Sequence, residues 1–180
     1  MGRFGKLPVK VPVEVKVTIT DNGITVAGPK GTLERTFPRL VKVAESEGNI
    51  VVEQMGGSKA ARAVQGATRA HIANMVSGVL TGWKKQLEVS GPGYRAELRG
   101  RDLVLMVGHS HPVVISAPEA INFVVEKNVI TVEGANKDEV GHISALIRDS
   151  RRANPYTGFG VKYTDEVVRR KVGKQAGKTE

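Results

Sequence analysis

The chain has 180 residues, and its 27 Lys and Arg outnumber its 18 Asp and Glu, which gives a net charge of +9 at pH 7. It contains no cysteine, which excludes disulfides, thiol catalysis and cysteine-ligated metal centres. No apolar run approaches the roughly 18–20 residues that span a bilayer, and the N-terminus lacks the apolar stretch of a signal peptide. We therefore expect a globular cytoplasmic protein of one domain or two small ones.

The charge is unevenly distributed along the chain. Residues 1–85 carry a net charge of +7, residues 86–147 carry −3, and residues 148–180 carry +5. Basic ends around an acidic middle favour a polyanionic partner over tails that only confer solubility. The basic C-terminal segment has no large apolar face that would insert into a membrane, so nucleic acid is the favoured partner.

In the first half, the residue pattern predicts several strands followed by one helix. Apolar residues alternate with polar ones from Val13 to Ile19, and Asp21-Asn22-Gly23 has the composition of a tight hairpin turn. Further strands are expected at residues 24–26, 32–37, 41–43 and 50–52, with turns at 28–31 and 47–49. After Ser58, an N-cap residue type, the apolar period lengthens to that of a helix ending before Trp83. Its predicted inner face is Val64, Thr68, His71, Ile72, Met75 and Val79.

The second half repeats this order. Strands are predicted at residues 94–98, 103–107, 113–115, 121–125 and 129–132. Asn136 and Glu139 then have the spacing of a capping box, in which two side chains satisfy free backbone N–H groups at a helix start. Val140, Ile143 and Ile147 supply the buried face of this second helix.

The matching order predicts an internal duplication. Asn49-Ile50-Val51 and Asn128-Val129-Ile130 lie 79 residues apart, and Lys59 and Lys137 lie 78 apart at the two helix starts. The predicted fold class is α+β, with two tandem copies of an antiparallel-sheet-plus-one-helix unit and a basic C-terminal tail. The expected domains are residues 1–85 and 86–180, the second carrying the basic loop and tail, with residues 83–90 as the linker between them.

Two motifs have the composition of chemical sites. In His109-Ser110-His111, two imidazoles flank a hydroxyl, but a catalytic zinc wants three protein ligands, and no carboxylate at a useful position orients a serine triad. Gly28-Pro29-Lys30-Gly31-Thr32 resembles a phosphate-binding loop, but the order of Lys and Gly is reversed and a strand follows it. We therefore expect no metal, no cofactor, no small-molecule substrate and no catalytic residue.

The C-terminal segment contains the strongest combination of basic and aromatic residues. Tyr156, Phe159 and Tyr163 stand among arginines and lysines, and Gly158 and Gly160 favour a loop whose backbone approaches phosphates closely. An irregular solvated tail with a few anchoring tyrosines is the alternative. The charge favours nucleic-acid contact.

Short motifs recur through nearly the whole chain, in one order and at one characteristic spacing. They are Gly5-Lys6-x-Pro8, Val26-x-Gly28-Pro29-Lys30-Gly31, Thr68-Arg69-Ala70, Asn74-Met75-Val76-x-Gly78-Val79, Gly93-Tyr94-Arg95-Ala96, Gly108-x-Ser110-His111-Pro112-Val113, Val132-x-Gly134, Lys137-x-x-Val140-Gly141, Ile147-Arg148, Pro155-Tyr156-x-Gly158-x-Gly160-Val161 and Arg170-Lys171-x-Gly173-Lys174. Together they resemble the bacterial type of large-subunit ribosomal protein six, the L-six (uL-six) family.

The chain departs from the family pattern at three places. Gln65-Gly66-Ala67 stands where the family usually has His-Gly-Thr, and His109 stands where it usually has an aromatic residue. Thr157 and Phe159 stand where the family often has lysines. This last change removes positive charge from a loop that the resemblance assigns to RNA.

The resemblance implies a non-enzymatic constituent of the large ribosomal subunit. Its expected partners are large-subunit (23S-type) rRNA near the stalk base and translation-factor site, and the neighbouring ribosomal proteins there. A free-standing RNA-binding regulator is the alternative, and a metal-dependent hydrolase is a remote one. The residues expected to bind rRNA are Ser110, His111, Arg148, Arg151, Arg152, Tyr156, Lys162, Tyr163, Arg169, Arg170, Lys171 and Lys174.

Overall fold

A computed structural model describes residues 4–20, 23–46 and 48–174. The chain divides into two compact units. Unit 1 comprises Met1–Trp83 with Gly134–Lys137, and unit 2 comprises Lys84–Glu133 with Asp138–Glu180. Within the described ranges, no helix combines the length and the apolar character needed to cross a membrane.

The described residues of unit 1 form six strands and a long helix after a short 3-10 helix at Phe4–Lys6. The strands form two three-stranded sheets with the orders β1-β6-β5 and β2-β3-β4, and the pairs within both are antiparallel. The elements are β1 (Val9–Lys10), β2 (Lys16–Thr20), β3 (Gly23–Gly28), β4 (Gly31–Thr36), β5 (Val41–Ser46), β6 (Asn49–Gln54) and α1 (Lys59–Leu80).

The hairpin registers of unit 1 follow the turn residues of the sequence. Thr20 pairs with Gly23, and Gly28 pairs with Gly31, so β2, β3 and β4 form a meander with two-residue connections. Ser46 pairs with Asn49 in the β5–β6 hairpin. Of the predicted turn residues, Asp21, Asn22 and Glu47 lie outside the described residues.

Helix α1 covers the sheets of unit 1 with one face. Ser58 is its N-cap, and the Ser58 hydroxyl accepts a hydrogen bond of 3.0 Å from the Ala61 backbone N–H. The helix contacts β6 and β3, and its buried residues include Thr68, Ile72, Met75 and Val79, as the periodicity predicts. These pack in one core with Val9, Val15, Ile24, Val26, Val41, Ile50 and Val52.

In unit 2, the residues up to 174 that the structure describes form seven strands and one helix. Two sheets form with the orders β11-β12-β7-β13 and β10-β9-β8. The elements are β7 (Trp83–Ser90), β8 (Arg95–Arg99), β9 (Asp102–Met106), β10 (Val113–Ile115), β11 (Ile121–Glu126), β12 (Val129–Gly134), α2 (Lys137–Ser150) and β13 (Gly160–Tyr163). The prediction of a strand-rich α+β architecture with two helices is confirmed.

The interior of unit 2 is aliphatic. Val140, Ile143 and Ile147 are buried on one face of α2, as predicted. The hydroxyl of Ser144, also buried, donates to the Val140 carbonyl at 2.6 Å, so its polarity is satisfied inside the helix. The buried strand residues of this unit are Leu87, Val89, Leu103, Val104, Leu105, Ile121, Ile130, Val132 and Val161.

Two expectations about residues 83–90 and 13–19 are wrong. Residues 83–90 are not a linker, because they form the eight-residue strand β7, with Leu87 and Val89 buried. The predicted strand at 13–19 begins only at Lys16. The Val15 N–H donates to the Pro12 carbonyl at 3.0 Å and closes a turn that leaves Val13 fully exposed.

Part of the C-terminal segment is a strand, where the sequence favours a loop or a solvated tail. Residues 160–163 form strand β13, which pairs antiparallel with β7. Val161 lies opposite Val89 and is fully buried, and Lys162 lies opposite Glu88. The predicted loop therefore ends at Phe159, and two of the expected rRNA-binding residues, Lys162 and Tyr163, lie in a strand.

Candidate nucleic-acid interface

Residues 151–159, between α2 and β13, form a loop that folds on its own hydrogen bonds; we call it the 151–159 loop. The Asn154 N–H donates to the Phe159 carbonyl at 2.9 Å, and the Gly158 N–H donates to the Asn154 carbonyl at 2.8 Å. The Asn154 side-chain oxygen accepts from the Tyr156 N–H at 2.8 Å, an Asx turn. Gly158 has a φ of +79°, which glycine adopts readily. The loop therefore presents the Tyr156 side chain from a fixed backbone.

Strand β13 anchors the base of this loop. The Val161 N–H donates to the Arg151 carbonyl at 2.7 Å, and Arg152 forms a parallel bridge with Val161. Gly160 has a φ of +143°, and a Cβ there would lie 2.6 Å from the Ala153 Cα. Only glycine allows the two chain segments to approach so closely.

A cleft of about 690 Å³ opens against the 151–159 loop. Three aromatic side chains line it together with two arginines. Tyr156 is 58% exposed and Phe159 is 43% exposed, so both present ring surface to solvent. We call this the aromatic cleft and define it by Tyr94, Arg151, Arg152, Tyr156 and Phe159.

Tyr94 connects the aromatic cleft with the loop between β9 and β10. Its ring lies against Gly91 and Gly108, where a Cβ would approach ring atoms to 2.6 Å and 3.1 Å. In the β9–β10 loop, the His109 Nε2 donates to the Ser150 carbonyl at 2.8 Å. The β9–β10 loop is thus tied to the end of α2, next to Arg151.

Ser110 and His111 lie in this loop and are exposed. The Ser110 hydroxyl lies 3.4 Å from the His111 Nδ1. In residues 4–20, 23–46 and 48–174, no cluster of three or more His, Asp or Glu has the arrangement of a metal site. The exposed serine and imidazole are available for hydrogen bonds to a partner.

Arg148 and Glu166 form the most enclosed ion pair described in unit 2. The Arg148 Nε donates to the Glu166 Oε2 at 2.7 Å, its Nη2 donates to Oε1, and the Tyr163 N–H also donates to Oε2 at 3.2 Å. The hydrogen bonds from Arg148 hold the pKa of Glu166 below its usual range, and the same pairing raises the pKa of Arg148. Burial raises the pKa of the Tyr163 phenol.

Two lysines lie near this ion pair. The Lys162 Nζ is 3.1 Å from the Glu88 Oε2, across the β7–β13 pair. The Lys85 Nζ lies 4.8 Å from the centre of the Tyr163 ring, a cation–π contact. Lys84 and Lys85 also line a second cleft of about 660 Å³, beside Tyr163.

The chain after β13 returns to the 151–159 loop. The Lys171 N–H donates to the Pro155 carbonyl at 2.9 Å. The Arg170 guanidinium lies against Gly158, where a Cβ would be 2.8 Å from its Nη2. Arg169, Arg170, Lys171 and Lys174 are all exposed. The return of the chain therefore concentrates positive charge at one side of the loop.

The family described as Ribosomal protein L6 matches this chain at residues 11–82 and 90–164. The chain belongs to the L6 family. Large ribosomal subunit protein uL6 of Caldanaerobacter subterraneus subsp. tengcongensis is 49% identical over 181 residues, which span 99% of this chain and 100% of that protein. The proteins of the same name from Lachnoclostridium phytofermentans and Acaryochloris marina are each 46% identical, over 99% of this chain and 100% and 99% of theirs. The family inferred from the motifs is confirmed.

In this L6 chain, some of the predicted site residues surround the 151–159 loop, and others lie in ion pairs outside it. Arg151, Arg152, Tyr156, Arg170 and Lys171 surround the 151–159 loop. Arg152 keeps an ion pair of 2.8 Å with Asp149, and both groups are largely exposed. The residues held in ion pairs or packed beside them are Arg148, Lys162 and Tyr163.

The sequence prediction of the L6 site missed Tyr94, Lys84 and Lys85. The sequence places Tyr94 at the start of a strand and in the motif Gly93-Tyr94-Arg95-Ala96, but not among the RNA-binding residues, although Gly91 and Gly93 before it indicate an irregular backbone. Lys84 and Lys85 were placed in a linker, and only the pairing of β7 with β13 brings them to Tyr163. The pattern of β7 itself gives no signal for that contact.

Proposed function

We propose that this L6-family chain is a structural, non-enzymatic constituent of the large ribosomal subunit and acts there by binding rRNA. Support comes from the relatives, which are named as large ribosomal subunit proteins and align over their full or nearly full length. The observation that carries the binding site is the convergence of exposed cations on the 151–159 loop. Arg151, Arg152, Arg170 and Lys171 come from two separate chain segments and meet at this one loop.

The chemistry of these groups suits a phosphate backbone. Arginine and lysine neutralise phosphates and release condensed counterions, which supplies most sequence-independent affinity for nucleic acid. Backbone N–H groups and hydroxyls at a glycine-rich loop add phosphate contacts that fix orientation without reading bases. Ser110 and His111 extend the same surface, because the His109 contact holds their loop at the end of α2. The remaining residues of the proposed interface are Arg148, Tyr156, Lys162, Tyr163, Arg169 and Lys174.

We further propose a position near the stalk base and the translation-factor site, in contact with neighbouring ribosomal proteins there. The motif resemblance supports this position. The charge pattern is consistent with it, because the net negative residues 86–147 separate the basic ends and limit how much of the surface faces RNA. The protein faces would then lie on the less basic parts of the molecule.

We also propose that the two units arose by duplication, as an N-terminal and a C-terminal repeat. Each unit contains a three-stranded meander, which is β2-β3-β4 in unit 1 and β8-β9-β10 in unit 2. Each unit also has a second sheet whose strands precede the helix in the same order, β5-β6-β1 in unit 1 and β11-β12-β7 in unit 2. The two segments matched by the L6 family are of similar length. In this proposal the boundary moves from 85/86 to 83/84, because Trp83 belongs to compact unit 1 and Lys84 and Lys85 belong to unit 2.

Recovery with ribosomal particles tests the proposed function. The tagged full-length chain is expressed in a bacterial host, and large subunits are isolated on gradients in high salt. We expect recovery in stoichiometric amount with the large subunit. The Arg151→Gln/Arg152→Gln variant should be depleted, and the matched control Lys10→Gln/Lys16→Gln, in unit 1, should be retained. Release of the wild-type chain by high salt would favour a free-standing RNA-binding regulator.

A further inference from the structure

Aromatic side chains are scarce in this chain but concentrated at the aromatic cleft. The sequence has one Trp, three Tyr and four Phe. Tyr94, Tyr156 and Phe159 line this single cleft, and two of them are strongly exposed. Rings this exposed contribute little to the core, and phosphate binding by arginine does not require them. The concentration therefore calls for a ligand that has a flat apolar face.

One ring and the backbone of the other two are held in place before any ligand arrives. The Tyr94 ring lies against Gly91 and Gly108, neither of which has a side chain that would displace it. The Asx turn at Asn154 sets the backbone of Tyr156, and the Phe159 N–H donates to the Thr157 hydroxyl at 3.3 Å. A cleft whose backbone is already ordered binds a ligand at a lower entropic cost.

The arginines that line the cleft favour a flat ligand with a negative charge. Arg151 and Arg152 line the same cleft, and Arg170 lies against Gly158 of the same loop. Asp149 pairs with Arg152 and leaves its guanidinium largely exposed. A nucleotide combines a flat group with a negative charge. Its base stacks on aromatic faces while its phosphate binds arginine.

We propose that the aromatic cleft binds an unpaired RNA nucleotide by stacking its base on Tyr156 and Phe159, with Arg151 and Arg152 on the flanking phosphates. This inference rests on the proposed function, since it takes RNA as the ligand. It adds a ligand class that duplex RNA does not offer, because paired bases expose only their edges. The volume of about 690 Å³ lies in the range of small-molecule sites and accommodates one nucleotide. Stacking is tolerant of base identity, so the cleft selects unpaired over paired RNA rather than one sequence.

The test compares two RNA probes on the full-length protein. One is a ten-nucleotide single strand with 2-aminopurine at its centre, and the other is a blunt sixteen-base-pair RNA duplex. We expect wild type to bind both and to quench the 2-aminopurine fluorescence, as stacking does. Tyr156→Leu/Phe159→Leu should lose about tenfold or more in affinity for the single strand, and the quenching with it. Its affinity for the duplex should stay within about twofold.

Two controls separate stacking from damage to the fold. Leu98→Ala/Val114→Ala removes two other exposed apolar side chains of unit 2 and should leave both affinities unchanged. Phe159→Lys should strengthen duplex binding while losing the fluorescence quenching, because it replaces a ring with a charge. Circular dichroism melts should show every variant folded.

Three results would overturn the proposal. They are equal losses for both probes in the double leucine variant, no loss for either probe, and no quenching or single-strand binding by wild type. None of these affects the proposed function, which is judged separately by recovery with large subunits. Failure of that recovery, together with selective quenching here, would leave the cleft in a free-standing RNA-binding protein.

Discussion

At Gly160, two chain segments approach so closely that adding one methyl group would disturb the backbone. With a φ of +143° and a Cβ position 2.6 Å from the Ala153 Cα and 2.7 Å from the Arg152 carbonyl oxygen, Gly160→Ala must move backbone. We expect unit 2 to lose about 1–3 kcal/mol of stability, and RNA binding to weaken because the 151–159 loop loses its anchor. Urea unfolding and filter binding measure the two effects. Gly141→Ala, an open helical position, should instead be neutral or slightly stabilising.

The Arg148–Glu166 pair gives unit 2 a dependence on pH. Folding lowers the pKa of Glu166, so the pair stabilises the fold fully above the ordinary glutamate pKa of 4.5. This contribution is lost as the pH falls through the lower pKa that Glu166 has in the folded protein. At pH 7, Glu166→Gln should cost about 1–2 kcal/mol, since both side chains are a quarter or more exposed and solvent screens the pair. Urea titrations of wild type and variant should converge as the pH falls below the lowered pKa of Glu166 in the folded protein. Glu126→Gln, on an exposed residue of β11, should show no difference from wild type at any of these pH values.

At the scale of elements, the returning tail is a compact source of phosphate contacts. Replacing Arg169, Arg170 and Lys171 with Gln should weaken binding of all RNA sequences alike, because phosphates carry no sequence information. Each lost contact should flatten the log–log dependence of affinity on salt by roughly 0.7–0.9. The matched triple control is Lys10, Lys16 and Lys42 to Gln, on exposed residues of unit 1. An equal change of slope in that control would assign the effect to net charge instead of to the tail.

The elements also show why some patterns are readable in the sequence and others are not. The meanders and helices follow from local signals: Gly28–Gly31 closes a turn, and Ser58 caps α1. Strand β7 escapes detection because Trp83 and the polar residues after it mask the alternation of Leu87 and Val89. Strand β13 has only four residues, which is too short to show an alternation of apolar and polar residues. Its buried residue, Val161, lies opposite Val89 of β7.

The candidate site divides in the same way. Counting charge identifies the cationic segment after residue 148, since composition is additive along the chain. The ion-pair partners of these cations could not be predicted, because Arg148 meets Glu166 and Lys162 meets Glu88 only after folding. Tyr94 enters the aromatic cleft from the distant connection between β7 and β8. Sequence spacing carries no record of such long-range contacts.

At the scale of the whole molecule, the two units should be separable. We expect a fragment of residues 84–180 to fold alone and bind large-subunit RNA selectively, because it contains every cation of the 151–159 loop and the tail. Residues 1–83 should also fold, with the core around α1, but bind more weakly and with less selectivity. Their net charge is +5 against +4, so charge alone would predict the opposite order. Circular dichroism melts and competition against bulk RNA decide between these outcomes. A fragment 84–180 that fails to fold, or tighter selective binding by 1–83, would refute the separation.

The pairing of β7 with β13 has a consequence for synthesis. Strand β7 is the first element of unit 2 to leave the ribosome, yet its partner β13 is the last. Domains fold in order as the chain emerges, so residues 1–83 can fold before the β13 partner of β7 has been made. The 151–159 loop, which we propose binds RNA, closes only when Val161 pairs with Val89. A nascent or prematurely terminated chain therefore has no finished RNA surface, and we expect only full-length molecules to compete for a place in an assembling particle.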